Sequence, residues 1–425
     1  MQHDRYGNPL STASLDAALA YRDGVDHILD ATYGSVDALA RAVALDPGFA
    51  LGHAAHARAL MYAADMAGAK AAIAAAEVAL DGATDREISH VKAFSLVLSG
   101  QAPAAREHVL AHATQWPLDA LIAQLNCQVF GLIGFSGRPG REAEMLAFTS
   151  ALAPNYGEDW WYLSVHAQSL CENGQPEAAL EMMERSLALH NGNANASHFK
   201  AHALYETGQS AEGRTYLDEW MLDYDPRGLL HGHLSWHAAL WALEQGDDAA
   251  FWVLYDGGVG PGTGSSLPIN VVTDAAALLW RAEMAGWSIP AERWRTLSGY
   301  AAQVFPNPGQ SFADFHAALA HAMAGDGDAL ARLAEAEVGF AADLVRPVAT
   351  AWGHVARRNW DGALQAMTPV MADHARFGGS RAQRDVLELT WMMILLRLGR
   401  GDEARRAAAT RRPVLIRAEH AMEAL

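Results

Sequence analysis

Cysteine is scarce in this sequence, with only Cys127 and Cys171 among 425 residues. Both lie in apolar stretches rich in Ala and Leu, and a disulfide framework would need more cysteines. We therefore expect two buried, reduced thiols. A run of 18 apolar residues is also lacking, and the first residues, MQHDRYGNPLSTAS, contain no apolar signal core. These absences predict a cytoplasmic protein with no membrane partner.

Basic residues are few and spread along the chain. The sequence has 31 Lys and Arg against 49 Asp and Glu, and a formal net charge of −18. A protein that grips phosphates needs a basic stripe, so nucleic acid and anionic membranes are excluded as main partners. Val, Ile and Thr are also sparse, whereas Ala is abundant, a composition that favours helix over strand. We expect helix in more than two thirds of the residues.

Turn signals recur at a nearly fixed interval. Successive turn glycines are spaced by 37, 37, 34 and 38 residues, at Gly100, Gly137, Gly174, Gly208 and Gly246. Paired helices stacked in a superhelix have this period, and about 34 is the tetratricopeptide (TPR) value. Each glycine is expected just after a helix, with a positive φ. The second helix of one pair starts at Pro176, as PEAALEMMERSLAL, with proline in its first turn.

The repeats predict an all-α, TPR-like superhelix, an α-solenoid that is strongly curved or closed. One domain is expected over residues 1–425, with N-terminal capping repeats over 1–100, a core that carries the site over 100–395, and a C-terminal cap over 396–425. One Gly-rich segment, 256–268, breaks the pattern. No strand precedes it and no Gly-Lys-Ser/Thr follows it, so a mobile lid or a loop folded over a concave face is favoured over a phosphate loop.

Histidines occur in register in two successive repeats. His198 and His202 are one helical turn apart, and so are His233 and His237, with Trp236 between them. Three interpretations remain open: hydrogen-bonded packing, an acid–base or substrate-orienting site, and a metal site. Because HExxH is absent and no third ligand has recognisable spacing, we expect no bound metal and no cofactor.

Tryptophans and acids accompany these histidines. Trp236 and Trp241 could line a pocket or simply pack at helix crossings. Asp256 and Asp274 could hold an imidazole in one tautomer, and Asp314 could either do the same or stabilise a helix N-terminus.

The segment FGGSRAQRDVLELTW predicts a helix start. Ser380 is a natural N-cap and Gln383 completes a capping box. Arg384 and Asp385 follow directly. Arg384 could bind an anionic substrate group at the helix N-terminus, or it could pair with an interior Asp.

Five motifs in this order resemble the tetratricopeptide repeat protein 38 family over residues 160–395. They are His198/His202, His233-x2-Trp236-His237, Tyr255-Asp256, Phe312-x-Asp314-x-His316, and the run from Gly378 to Asp385. The resemblance implies the fold and the position of the site, and it carries no settled activity. Where the family has a Glu three residues after the second His, this sequence has Tyr205, with Glu206 next to it.

We predict a cofactor-independent enzyme that uses acid–base chemistry of the hydrolase, lyase or isomerase type. Its substrate is expected to be small and could be anionic. The alternative is a TPR scaffold that binds a peptide in its concave groove, and self-association into a homo-oligomer stays open. The predicted catalytic residues are His202, His233, His237, Asp314 and His316. The predicted substrate-binding residues are His198, Tyr205, Glu206, Trp236, Trp241, Asp256, Asp274, Arg384 and Asp385.

Overall fold

A computed structural model describes residues 2–264 and 266–411 of the chain. Helix dominates these residues, and the prediction of an all-α, helical-repeat fold is confirmed. The described strands are two short segments, Gln2–His3 and Pro9–Leu10, which pair antiparallel with Gln2 opposite Leu10. Within the described residues, no helix combines the length and the apolar character needed to cross a bilayer.

The first ten helices occupy residues 15–189. Their bounds are α1 Leu15–Asp30, α2 Ser35–Leu45, α3 Ala50–Tyr62, α4 Met66–Val78, α5 Asp85–Leu98, α6 Ala102–Gln115, α7 Ala120–Cys127, α8 Arg141–Tyr156, α9 Trp160–Glu172 and α10 Pro176–Leu189.

The remaining helices of the described chain occupy residues 194–411. Their bounds are α11 Ala194–Thr207, α12 Ser210–Trp220, α13 His231–Glu244, α14 Asp248–Leu254, α15 Pro268–Met284, α16 Ala291–Val304, α17 Ser311–Ala324, α18 Gly327–Glu335, α19 Ala342–Ala356, α20 Trp360–Met367, α21 Arg381–Arg397 and α22 Gly401–Arg411.

Glycine turns separate the two helices of several pairs, as the spacing predicts. Gly100, Gly174, Gly208 and Gly246 all have φ between 70° and 79°. After α9, for example, the amide of Gln175 donates to the carbonyl of Leu170, which is the hydrogen bond of a Schellman turn. Gly137 also has a positive φ, of 67°, but it lies in a loop ten residues after the end of α7.

The second helices are amphipathic and bury one face. In α10 the buried side chains include Ala179, Met183 and Leu187, which are successively four residues apart. Both cysteines are buried, as expected from their apolar surroundings, and burial raises the pKa of the Cys127 thiol.

The described chain divides into two compact units. Unit 1 contains residues 2–136, 142–200 and 223–230, and unit 2 contains 137–141, 201–222 and the residues from 231 onward. The boundary at residue 200 falls inside the continuous helix α11. The single-domain organisation over 1–425 stays a prediction, and residues 412–425 of the expected C-terminal cap lie outside the described residues.

Candidate functional site

Three of the predicted histidines meet inside unit 2. His202 comes from α11, and His233 and His237 come from successive turns of α13; all three are buried. The ring centroid of His237 lies 4.5 Å from that of His202 and 5.0 Å from that of His233. Burial, followed by the neighbouring His233, lowers the pKa of His202 to about 3, so this imidazole is neutral at physiological pH.

A carboxylate from a third helix orients one of these rings. Nδ1 of His233 lies 2.6 Å from Oδ2 of Asp274, on α15. The other oxygen of Asp274 accepts a hydrogen bond of 3.2 Å from the side-chain amide of Gln383, on α21. Because a carboxylate accepts hydrogen bonds, Nδ1 of His233 carries the hydrogen of this contact.

Two indoles pack against the histidines. The ring of Trp236 is stacked with His233, with the centroids 5.2 Å apart and the planes 11° apart. Trp241 lies one turn further along α13, 6.3 Å from His237. Both tryptophans are buried, and neither indole N–H has a hydrogen-bond partner among the described residues.

The tyrosine at the position where the resembled family has Glu bridges two charged side chains. Its hydroxyl donates to Oδ2 of Asp385 at 2.8 Å and accepts from Nη1 of Arg281 at 3.0 Å. Tyr205 therefore connects α11 to α15 and α21 by a hydrogen-bonded chain. Glu206, the next residue, forms an ion pair of 3.4 Å with Arg381.

Arg281 is the main functional candidate that sequence reasoning missed. It is 7% exposed, it donates to Tyr205 and to the backbone carbonyl of Ala382, and its Nε has no hydrogen-bond partner among the described residues. None of the described carboxylates forms an ion pair with it. Its guanidinium carbon lies 5.9 Å from the centroid of the Trp236 ring. The sequence feature that could have indicated Arg281 is its position seven residues after Asp274. Residues at this spacing lie on one face of a helix, here α15.

His316 is buried, and only one of its two ring nitrogens has a hydrogen-bond partner among the described residues. Nδ1 donates to the carbonyl of Phe312 at 2.8 Å, and Nε2 has no partner among the described residues. Burial lowers the pKa of His316 to about 3, with Arg281 contributing in the same direction. That electrostatic interaction links His316 to Arg281, whereas no described contact joins His316 directly to the three histidines.

Two predicted acids take other roles. Asp314 accepts the amide N–H of Gly309 at 2.9 Å, and burial raises its pKa to about 6. Asp256 is an exposed residue paired with Arg293. Neither acid has a described contact with His202, His233 or His237.

The predicted capping box at the start of α21 is present. The Ser380 side chain accepts the Gln383 amide, and the Gln383 side chain accepts the Ser380 amide. Gln383 thus joins the helix cap to Asp274, a second role that the sequence did not reveal. Arg384 donates to the carbonyl of Gly379, so part of its hydrogen-bonding capacity holds the loop before the helix.

The Gly-rich segment is partly helical, in contrast to the loop expected there. Residues Tyr255–Val259 form a π-helical turn, an element that is frequent at functional sites. The segment packs against the first turn of α13, where a Cβ on Gly232 would lie 2.2 Å from Oγ of Ser266 and 2.4 Å from the carbonyl of Gly258. Movement of this segment as a lid stays a prediction.

His198 lies on the part of α11 assigned to unit 1. It is buried, and it precedes His202 by one turn on the same helix. The helix itself therefore places both rings on one face.

Unit 1 contains a buried ionisable network that sequence reasoning also missed. The carboxylate of Asp119 lies 2.6 Å from Arg86, 3.0 Å from His90 and 3.3 Å from His112. Burial alone would raise the pKa of Asp119, but these three neighbours hold it well below its usual range. The carboxylate is therefore ionised and matched by the buried guanidinium, an arrangement typical of a structural ion pair.

Comparison with known proteins supports the repeat assignment. Residues 170–231 match the family model described as "Tetratricopeptide repeat". Similar solved structures include a human IFIT1 dimer with m7Gppp-AAAA, at 12% identity over 98% of both chains with a TM-score of 0.47. Yeast Tom70 is 14% identical over 95% of this chain and 88% of its own, with a TM-score of 0.39. The chain is a TPR-like helical-repeat protein.

Proposed function

We propose that unit 2 binds a small anionic molecule and transforms it by acid–base chemistry of the hydrolase, lyase or isomerase type. The observation that carries this proposal is the buried guanidinium of Arg281, which forms no ion pair with a described carboxylate and is linked to Asp385 through the hydroxyl of Tyr205. A kinship with the tetratricopeptide repeat protein 38 family, beyond the repeat itself, is part of the same proposal.

Burying a cation without a direct ion pair costs free energy. Even after relaxation, transfer of an ion out of water costs several kcal/mol, and the protein recovers this only if an opposite charge and hydrogen bonds are provided. Arg281 receives neutral partners, the hydroxyl of Tyr205 and the carbonyl of Ala382. A carboxylate or phosphate group of a ligand would supply the missing charge, and a guanidinium binds such groups through paired N–H donors.

The groups around Arg281 fit a reactive site. Trp236 offers an apolar wall and an indole N–H without a partner among the described residues. His233, whose tautomer Asp274 fixes, stacks on the same indole. An imidazole held in one orientation by a carboxylate is suited to transfer protons.

A ligand screen with matched arginine variants tests the proposal. Small carboxylates and phosphate esters are added one at a time, and the melting temperature of the protein is measured. A ligand held by Arg281 should raise the melting temperature of the wild type and of Arg295→Met, whose arginine is exposed on α16, but not that of Arg281→Met. Equal shifts in the two variants would show that anions bind elsewhere.

Peptide binding is the second candidate, because residues 170–231 match a TPR model. The same screen is run with short peptides of both charge signs. If a peptide binds the wild type and Arg281→Met equally, and no small molecule binds in the screen, the protein is a peptide-binding scaffold and the proposed function is wrong.

A further inference from the structure

The three histidines of unit 2 bring their ring nitrogens to a common point. One nitrogen from each of His202, His233 and His237 lies within 4.8 Å of the others. Tetrahedral coordination at the usual zinc–nitrogen distance separates ligand nitrogens by about 3.4 Å. Small side-chain rotations therefore suffice to place the three nitrogens around one ion.

The surroundings of His233 are those of a metal ligand. Metal-binding histidines nearly always direct their second ring nitrogen at a carboxylate, a carbonyl or water, which fixes the ring and increases its basicity. Nδ1 of His233 meets Asp274 at 2.6 Å, and Gln383 in turn holds Asp274. This arrangement leaves Nε2 of His233 as the coordinating atom.

We propose that His202, His233 and His237 bind one divalent transition metal ion, with Asp274 as the carboxylate that orients His233. An all-imidazole set suits zinc, copper, iron and nickel, in contrast to calcium or magnesium, which require oxygen ligands.

This inference reverses an expectation drawn from the sequence. That expectation of no metal rested on the absence of a third ligand with recognisable spacing along the chain. The ligands come from α11 and α13, whose histidines are about 30 residues apart in the sequence. Their proximity depends on how these helices pack, so spacing along the chain did not indicate a shared site. The metal proposal goes beyond the proposed function. With an ion bound, both nitrogens of His233 are engaged, so this ring would hold the ion and would not transfer protons, whereas anion binding at Arg281 can stand or fall separately.

Metal uptake by the 425-residue chain is the test. The protein is stripped with a chelator, dialysed against zinc, and analysed for bound metal; cobalt is then titrated as a spectroscopic probe. We expect one zinc per chain and the intense visible bands of tetrahedral cobalt. His237→Gln and His202→Gln should abolish both signals, and His56→Gln, which alters a histidine of α3 outside the cluster, should preserve them.

The orienting carboxylate gives a graded control. Asp274→Asn should weaken zinc affinity about 10–100-fold, as loss of a second-sphere partner typically does. Circular dichroism of each variant separates loss of metal from loss of fold, and Asp274→Asn keeps the size of the side chain.

Two outcomes overturn the proposal. One is a wild-type protein that retains no zinc at micromolar concentrations. The other is zinc uptake that is unchanged in folded His202→Gln and His237→Gln, which would place the ion elsewhere. Neither outcome affects the binding of anions at Arg281, which is measured by a separate screen.

Discussion

His233 and Asp274 are joined by a hydrogen bond of 2.6 Å, although 41 residues separate them in the sequence. The carboxylate of Asp274 is held in turn by Gln383, which belongs to the N-terminal capping box of α21. A helix start, an interior carboxylate and an imidazole therefore form one connected chain. Because each member restricts the next, the orientation of the His233 ring is determined before any ligand arrives.

The tautomer of His233 is the first prediction. In the neutral ring of the wild type, the proton should reside on Nδ1, and nitrogen-15 NMR of labelled histidine measures this. Asp274→Leu removes the acceptor, so the fraction protonated on Nδ1 should fall. Asp256→Asn should leave it unchanged, because Asp256 is exposed and paired with Arg293. A His233 ring with its proton on Nε2 in the wild type would contradict the orientation described above.

The raised pKa of Asp314 predicts that this residue makes the protein less stable as the pH rises. Its pKa is raised from 3.8 to about 6 by burial, so the folded state holds this proton more tightly than the unfolded state does. The stabilisation is fully present below pH 3.8 and is lost as the pH rises through 6. Asp314→Asn should therefore gain up to about 3 kcal/mol over the wild type at pH 8, and little at pH 4.

Denaturant unfolding of both proteins at a series of pH values measures this difference. Asn can still accept the Gly309 amide, so the loop contact is preserved. A constant difference between the two proteins from pH 4 to pH 8 would show that Asp314 is not perturbed.

The lowered pKa of Asp119, in unit 1, predicts the opposite dependence of stability on pH. Its pKa is held well below the usual range, so its stabilisation is present above the unfolded pKa and is lost as the pH falls through the folded one. Asp119→Asn leaves the Arg86 guanidinium buried without its carboxylate. The free energy of unfolding should fall by about 3–5 kcal/mol at pH 7.

The exposed residue Asp81 provides the matched control for this change. Asp81→Asn should alter the free energy of unfolding by less than about 0.5 kcal/mol. Equal stability of the Asp119→Asn and Asp81→Asn proteins at pH 7 would mean that the Asp119 network contributes nothing.

Gly379 predicts a steric effect at the start of α21. Its φ is +70°, and a Cβ there would lie 2.3 Å from Cε2 of Phe312. Gly399 has a similar φ of +73° and open space around it, so Gly399→Ala measures backbone strain alone, about 1–2 kcal/mol. Gly379→Ala should destabilise the protein by clearly more than this, as urea unfolding would show. Equal losses would mean that Phe312 moves aside without cost.

The elements set by local chemistry were predictable from the sequence. The turn glycines, the start of α10 at Pro176 and the cap at Ser380 all depend on residues close together in the chain. Histidines one turn apart likewise predicted a shared helix face. The fold class follows from these local signals, because a regular period of helix pairs leaves few other architectures.

The partners of each side chain were not predictable in this way. Periodicity shows that Asp274 faces inward but not that it meets His233, since that depends on which helices pack together. Asp256 shows the converse, because a motif placed it in the site and the structure places it at the surface. Arg281 escaped notice because a single arginine in an apolar helix usually extends to solvent.

The location of a bound ligand tests the central claim most directly. A crystal structure of the protein with a small anion from the screen should show its charged group on the guanidinium of Arg281, beside the Trp236 ring. Density for that anion at an exposed groove or at surface arginines, with Arg281 still contacting only Tyr205 and Ala382, would contradict the account.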